Sequence, residues 1–293
     1  MVSNVVGIDV GGTTVKGARV TLADRAVVAS SAVATPQTSD ALTAAVVSLA
    51  QSLRDQDTAA VGVTSPGFVR GDVVRYSANL PWRDEPVRSR VASALGLPVA
   101  LLHDTLAAAL AEADRAGHTD MLFVGIGTGI AGVHVRNGVA HRGATGQAGE
   151  IGHTPVRRVG DVCSCGQRGC LETYASAAAI ARRYAARTGR TVGTDVIAAS
   201  VDSDADAAAV WQEAIDALAL ALTTDVLVAD PGVIVLGGGL AAAGDTLLAP
   251  LREALAARLS FRAPPPVSAT LVGPAAGMLG AARTAAALIA QET

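Results

Sequence analysis

Lysine is nearly missing from this chain of 293 residues: Lys16 stands alone beside 22 arginines, a bias that reflects base composition more than function. Basic residues number 23 against 26 acidic ones, a net charge of −3, so the basic footprint of a nucleic-acid binder is absent. Aromatic residues make up only 3% of the chain. Half the residues are apolar, yet 61 of them are alanine, so the apolarity is small and helix-favouring rather than membrane-like. No unbroken apolar run approaches the ~18–20 residues of a spanning helix. The opening MVSNVVGIDV enters a strand pattern without a basic stretch and cleavable apolar segment. Membrane, secreted and disordered classes are therefore disfavoured, and a cytoplasmic location is expected.

Cysteine is scarce as well. The three present, Cys163, Cys165 and Cys170, fall within eight residues. An odd number without an export signal is a poor disulfide framework. Cys163-Ser-Cys165-Gly-Gln-Arg-Gly-Cys170 reads instead as a tight metal knuckle, and a closed tetrahedral zinc site needs one more ligand. His153 lies ten positions before Cys163. The plainer alternative is three buried thiols and an unrelated histidine.

What is present is an α/β pattern that runs twice. Val5–Val10 reads as a buried strand, Gly11-Gly12-Thr13-Thr14 as a tight turn, and Val15–Val20 as a returning strand. Helix periodicity covers 41–53, 87–95 and 106–116, with strands at 59–64 and 98–102 and a turn at Ser65-Pro66-Gly67. The pattern restarts with a strand at 121–126, the turn Gly127-Thr128-Gly129 and a return at 132–136. Helices follow at 171–187, 207–228 and 246–259, a strand at 233–236 closed by Gly237-Gly238-Gly239, and a last helix at 277–291. This is one α/β unit duplicated, with a ligand cleft expected between the copies.

The turns carry the chemistry. Glycine lets backbone N–H groups approach an anion closely, and threonine adds hydroxyl donors, so Gly11, Gly12, Thr13 and Thr14 are candidate phosphate ligands. Asp9 is a candidate for holding Mg²⁺ directly or through water. The stretch is neither a Walker loop nor a dinucleotide fingerprint. Gly127, Thr128 and Gly129 form a second candidate phosphate turn, and Gly237, Gly238 and Gly239 offer bare backbone to an adenine ring. Read in isolation, each is also an ordinary hairpin or strand-to-helix turn.

Along essentially its whole length the sequence resembles the ROK family of sugar kinases and sugar-responsive repressors. The resemblance rests on Asp9-x-Gly-Gly-Thr13, Ser65-Pro-Gly67, Asn79-Leu-Pro-Trp82, Asp104, Gly127-Thr-Gly129, Gly149-Glu-Ile-Gly-His153, the cysteine cluster running into Leu171-Glu172, and Gly237-Gly-Gly239. It implies a two-domain, actin-like and ribonuclease-H-like (ASKHA) fold: residues 1–116, rejoined by 277–293, and residues 117–276 carrying the zinc knuckle. It implies ATP and Mg²⁺, and one structural Zn²⁺ on His153, Cys163, Cys165 and Cys170. Asp104 matches the family's general base, which takes a proton from a sugar hydroxyl, typically the 6-hydroxyl. Asn79, Glu150, His153 and Glu172 match sugar-contacting residues, with Gly67 and His103 beside them. Family habit further implies a homodimer or homotetramer, and neither nucleic-acid nor membrane partners.

Two departures concern the sugar side. Where the family usually has Asn-Asp this chain has His103-Asp104, and where it commonly has a further Asn stands Leu106. An imidazole can replace an amide as donor or acceptor, but its shape differs and the residue type titrates near pH 6.5. Position 14 is Thr where many members carry Lys, although Lys16 is close by. The reading is an ATP-dependent hexokinase of glucokinase type. Its rivals are N-acetylmannosamine or N-acetylglucosamine kinases, a non-catalytic sugar-binding protein, and a repressor, which the eight residues before Asp9 and the negative charge disfavour.

Overall fold

The computed structural model describes residues 4–290, which divide into two compact units. The first runs through Gly117 and takes up the chain again at Pro274; the second is His118–Gly273.

The first unit begins with β1 (Asn4–Val10), β2 (Thr14–Thr21), β3 (Val27–Ala34), α1 (Ser39–Leu53) and β4 (Thr58–Ser65). A small antiparallel sheet follows, made of β5 (Phe68–Arg70), β6 (Val73–Tyr76) and β7 (Arg83–Glu85). Then come α2 (Val87–Leu95), β8 (Val99–His103) and α3 (Asp104–Ala116). The main sheet has the order β3-β2-β1-β4-β8, with β1, β4 and β8 parallel and β2 and β3 antiparallel. β1 is buried almost throughout, as the run Val5-Val6-Gly7-Ile8 demands for a central strand covered on both faces. On one face α1 lays down Leu42, Val46, Leu49 and Leu53, a stripe at helical spacing. Trp82 is fully buried in the same core, and its indole N–H donates to Thr43 Oγ1 at 3.1 Å. Emptying that site with Trp82→Ala would cost about 3–5 kcal/mol.

The second unit repeats the plan. It contains β9 (Asp120–Ile126), β10 (Ile130–Arg136), β11 (Val139–Ala140), a 3₁₀ turn at Ile151–His153, α4 (Glu172–Ala175), α5 (Ala177–Thr188), α6 (Thr194–Ala199), α7 (Ala205–Ala229), β12 (Ile234–Gly237), α8 (Asp245–Arg258) and β13 (Val267–Ala269). Its sheet order, β11-β10-β9-β12-β13, has β9, β12 and β13 parallel and β10 and β11 antiparallel, the sequence of directions seen in the first sheet. Val210, Trp211, Ala214, Ile215, Leu218 and Leu222 of α7 are buried in its core.

The chain ends with α9 (Ala276–Ala290), which packs on the first unit. Gly7 on β1 and Gly62 on β4 leave no Cβ between sheet and helix, so Ala281 and Ala282 settle directly on the strands. The abundance of alanine has here a structural use: small side chains on both sides permit close approach.

The fold class matches the sequence reading, and two helices differ from it for physical reasons. The helix expected over 171–187 is broken at Ser176, whose extended backbone ends α4 and whose hydroxyl caps α5 through the Ala179 N–H. The helix expected from Leu106 starts at Asp104, because His103 supplies the cap. The expected last helix is described only as far as Ala290, and Gln291 lies outside the described residues. Edge strand β3, the small sheet and α6 had no expected counterpart; β3 is exposed over most of its length, so it carries no inward-facing pattern to read. None of the described helices is long and apolar enough to cross a membrane.

Candidate functional site

In the first unit the candidate residues collect where β1, β4 and β8 end together, the C-terminal edge of the parallel strands, where open α/β sheets bind ligands. The β1–β4 register sets Asp9 beside Thr64, and the Thr64 hydroxyl donates to Asp9 Oδ1 at 2.6 Å. The β1–β2 register sets Lys16 on the other side of Asp9. Gly277, in the first turn of α9, lies against the carboxylate so closely that any side chain there would collide with it. Burial is the main effect on Asp9 and pushes its carboxyl above the ordinary carboxylate range; Asp104 adds to this, while Thr64 and Lys16 pull back. A buried carboxylate under pressure from a second acid suits a divalent cation.

The turn after β1 is held by its own backbone. Gly11 N–H donates to the Thr14 carbonyl at 3.0 Å, Thr35 N–H to the Thr13 carbonyl at 3.0 Å, and Thr35 Oγ1 to the Gly11 carbonyl at 2.6 Å. Among the described residues the N–H groups of Gly12 and Thr13 have no such acceptor, which leaves two donors for an anion. Asn79 is exposed and adjoins this turn, its Cβ next to the position a Cβ on Gly12 would take. Gly67 has a packing reason of its own: φ is +91°, and a side chain would run into the Tyr76 carbonyl.

Asp104 opens α3. Its Oδ1 accepts from Thr105 N–H at 2.6 Å and from Thr105 Oγ1 at 3.2 Å, while Oδ2 has no recorded partner among the described residues. His103 precedes it as the helix cap, with Nδ1 accepting from Thr105 N–H at 3.2 Å. Leu106 points into the buried stripe of α3 with Leu110, so an amide there would face apolar neighbours.

In the second unit the turn Gly127-Thr128-Gly129 follows β9 as the first turn follows β1. Its Gly127 N–H donates to the Gly129 carbonyl at 2.9 Å, and the Thr128 and Gly129 N–H groups have no backbone acceptor among the described residues. Glu172 is joined to this turn. Its Oε2 accepts from Ile130 N–H at 2.9 Å and fills the space a side chain on Gly129 would need. Gly237 and Gly238 are explained by packing, since Cβ atoms there would meet the Phe123 ring and the Ile126 backbone; Gly239 faces open space.

His153, Cys163, Cys165 and Cys170 come together with their ligand atoms all within 4.8 Å of one another. His153 Nδ1 is 3.6 Å from Cys163 Sγ, and Cys165 Sγ is 3.7 Å from Cys170 Sγ. The other ring nitrogen of His153, Nε2, faces Glu150 Oε2 at 3.9 Å. One imidazole and three sulfurs are a donor set for zinc, and the residues fit that ion. Burial, with the adjacent Cys165 and Cys163, pushes the Cys170 thiol up to about 12. A dication in the cluster reverses that balance, because it stabilises the thiolates that burial opposes. Gly149, at φ +96°, lets the chain pass tightly against β10 just before Glu150.

Thr64, Thr105, Gly277 and the Ile130 N–H also belong to these sites and were not singled out from sequence. A threonine, a helical glycine and a backbone amide carry no motif; only register and packing bring them in.

A sequence model of the ROK family matches residues 5–290. The glucokinase of Halalkalibacterium halodurans is 34% identical over 276 residues, 85% of this chain and 84% of that one. Among solved structures, a ROK family glucokinase from Streptomyces griseus in complex with glucose and AMPPNP superposes with a TM-score of 0.83 at 29% identity, covering 96% of this chain and 99% of that one. The ROK hexokinase of Thermus thermophilus gives a TM-score of 0.86 at 32% identity, over 98% and 99% of the two chains. Proteins named xylose repressor, N-acetyl-D-glucosamine kinase and N-acetylmannosamine kinase are also similar to it.

Proposed function

The chain belongs to the ROK family, and from that premise we propose that it is a cytoplasmic, ATP-dependent sugar kinase acting on a hexose hydroxyl, the 6-hydroxyl of glucose first. The observation that carries the reading is the state of Asp104: one carboxylate oxygen is fixed by Thr105 and the other has no partner among the described residues, as a base poised for a substrate proton must be.

In this mechanism Asp104 Oδ2 accepts the proton of the sugar hydroxyl. The oxygen forms its bond to the γ-phosphorus as the bond to the bridging oxygen breaks, and the electron pair leaves with ADP. In the first unit the N–H groups of Gly12 and Thr13, without an acceptor among the described residues, would take phosphate oxygens, with Gly11 and Thr14 shaping the turn. In the second unit Thr128 and Gly129 would do the same, with Gly127 shaping the turn, and Gly237, Gly238 and Gly239 would offer backbone to an adenine ring. Asp9 would hold Mg²⁺, which, when bound with the nucleotide, neutralises phosphate charge. Asn79, His103, Glu150, His153 and Glu172 read the sugar hydroxyls beside Gly67. His153 turns Nδ1 toward the cysteine cluster, so with that nitrogen engaged by a zinc ion the ring would carry its proton on Nε2 and donate to the sugar, while Glu150 and Glu172 would accept.

A hexose panel with ATP tests this directly, with glucose, mannose, N-acetylglucosamine and N-acetylmannosamine as acceptors. Glucose phosphorylation is the expected result. Turnover on an N-acetylated sugar alone would move the assignment to the amino-sugar kinases, and no turnover on any sugar would overturn it.

A further inference from the structure

His103 ends β8 and caps α3, and its Nδ1 stands between two groups that need opposite things from it. It lies 3.2 Å from the Thr105 nitrogen, whose N–H it accepts, and 3.1 Å from Asp104 Oδ1. Accepting from Thr105 uses the lone pair of an unprotonated Nδ1, whereas bonding to the carboxylate requires an Nδ1–H. One nitrogen cannot do both. Thr105 N–H does not depend on His103, because it also reaches Asp104 Oδ1 at 2.6 Å.

We infer that His103 is a positioning residue for Asp104 and exchanges one hydrogen bond for the other when it takes up a proton. Neutral, the ring carries its hydrogen on Nε2 and caps α3 through Nδ1. Protonated, it donates Nδ1–H to Asp104 Oδ1, which then holds donors from both His103 and Thr105 and is a weaker base. The catalytic consequence rests on the reading of Asp104 as base; the exchange itself does not.

The surroundings add little competing charge. β4 places Ser65 opposite His103. α9 carries one charged residue, Arg283, bound to Asp114. On α2, Arg88 pairs with Asp72, and Arg90 with Glu85 and Asp40. β5 contributes Arg70, and Glu112, Asp114 and Arg115 of α3 lie two turns or more beyond Asp104. On β1, Asp9 is the remaining acid whose charge is felt at Asp104.

The test is a pH titration of the five histidines by NMR on the full chain without substrate, with His103 assigned from the resonance lost in His103→Asn. The neutral ring is expected as the Nε2–H tautomer, and Asp104→Asn is expected to lower the His103 midpoint by about 0.2–0.7 pH unit. A neutral Nδ1–H tautomer, or a midpoint indifferent to Asp104→Asn, overturns the exchange. In the kinase assay the acid limb of kcat should carry a second inflection that His103→Asn removes, since an asparagine oxygen can cap but does not titrate. An unchanged acid limb in His103→Asn overturns the positioning role. Near-normal turnover in Asp104→Asn, with the NMR result intact, removes the base assignment alone.

Discussion

Glu172→Ala tests how the second unit joins a candidate sugar ligand to a candidate phosphate turn. The carboxylate accepts from Ile130 N–H at 2.9 Å, and Ile130 is only 4% exposed. Removing the acceptor strands a backbone donor where water has little access, at a cost of about 1–3 kcal/mol. For a unit of this size that is roughly a 2–12 °C fall in Tm. The same bond fixes the strand entry directly after Gly129, so part of the loss should appear in nucleotide binding, where each ~1.4 kcal/mol is a tenfold change. Glu172→Gln keeps an acceptor oxygen but loses its charge, and should cost about half as much. The assays are thermal unfolding and separate KM values for ATP and sugar. Both KM values should rise in Glu172→Ala. A variant with unchanged Tm and unchanged ATP KM, impaired only toward sugar, would refute the reasoning, because the bond to Ile130 would then carry no structural weight.

Three further outcomes are expected. Asp104→Asn should lower turnover on the order of 10²–10⁴-fold with a much smaller change in sugar affinity; near-normal turnover would show that another group takes the proton. Metal analysis should find about one zinc per chain, and Cys165→Ser should lower metal content and Tm together, since the glycine-rich knuckle depends on the ion for its order; fully active protein without zinc would exclude the site. The Asp9 carboxyl is raised above its ordinary 3.8 by burial, so its ionisation opposes folding: the penalty grows as pH rises through 3.8 toward the raised value and is complete above it. Asp9→Asn should therefore raise Tm at pH 7, with the gain vanishing below pH 3.8, while nucleotide-dependent turnover is lost; a lower Tm at pH 7 would contradict the desolvated state of Asp9.

Much of the protein was legible in the sequence because its signals are local. A buried strand run, a Gly-Gly-Thr turn and three cysteines in eight residues each report a backbone requirement or a ligand chemistry at one place, and the duplicated order of strands and helices follows from hydrophobic periodicity. Tertiary structure decided the rest. That Asp9 is flanked by Thr64 and Lys16 depends on strand register, and that Gly277 closes over it depends on a helix more than 260 positions away in sequence packing back onto β1. The cap made by His103 could not be read from a residue type seldom used for capping, and the hold of Glu172 on Ile130 joins positions 42 residues apart. Residue types determine what chemistry a chain can carry; which atoms are left free for it is settled only when packing has claimed the others.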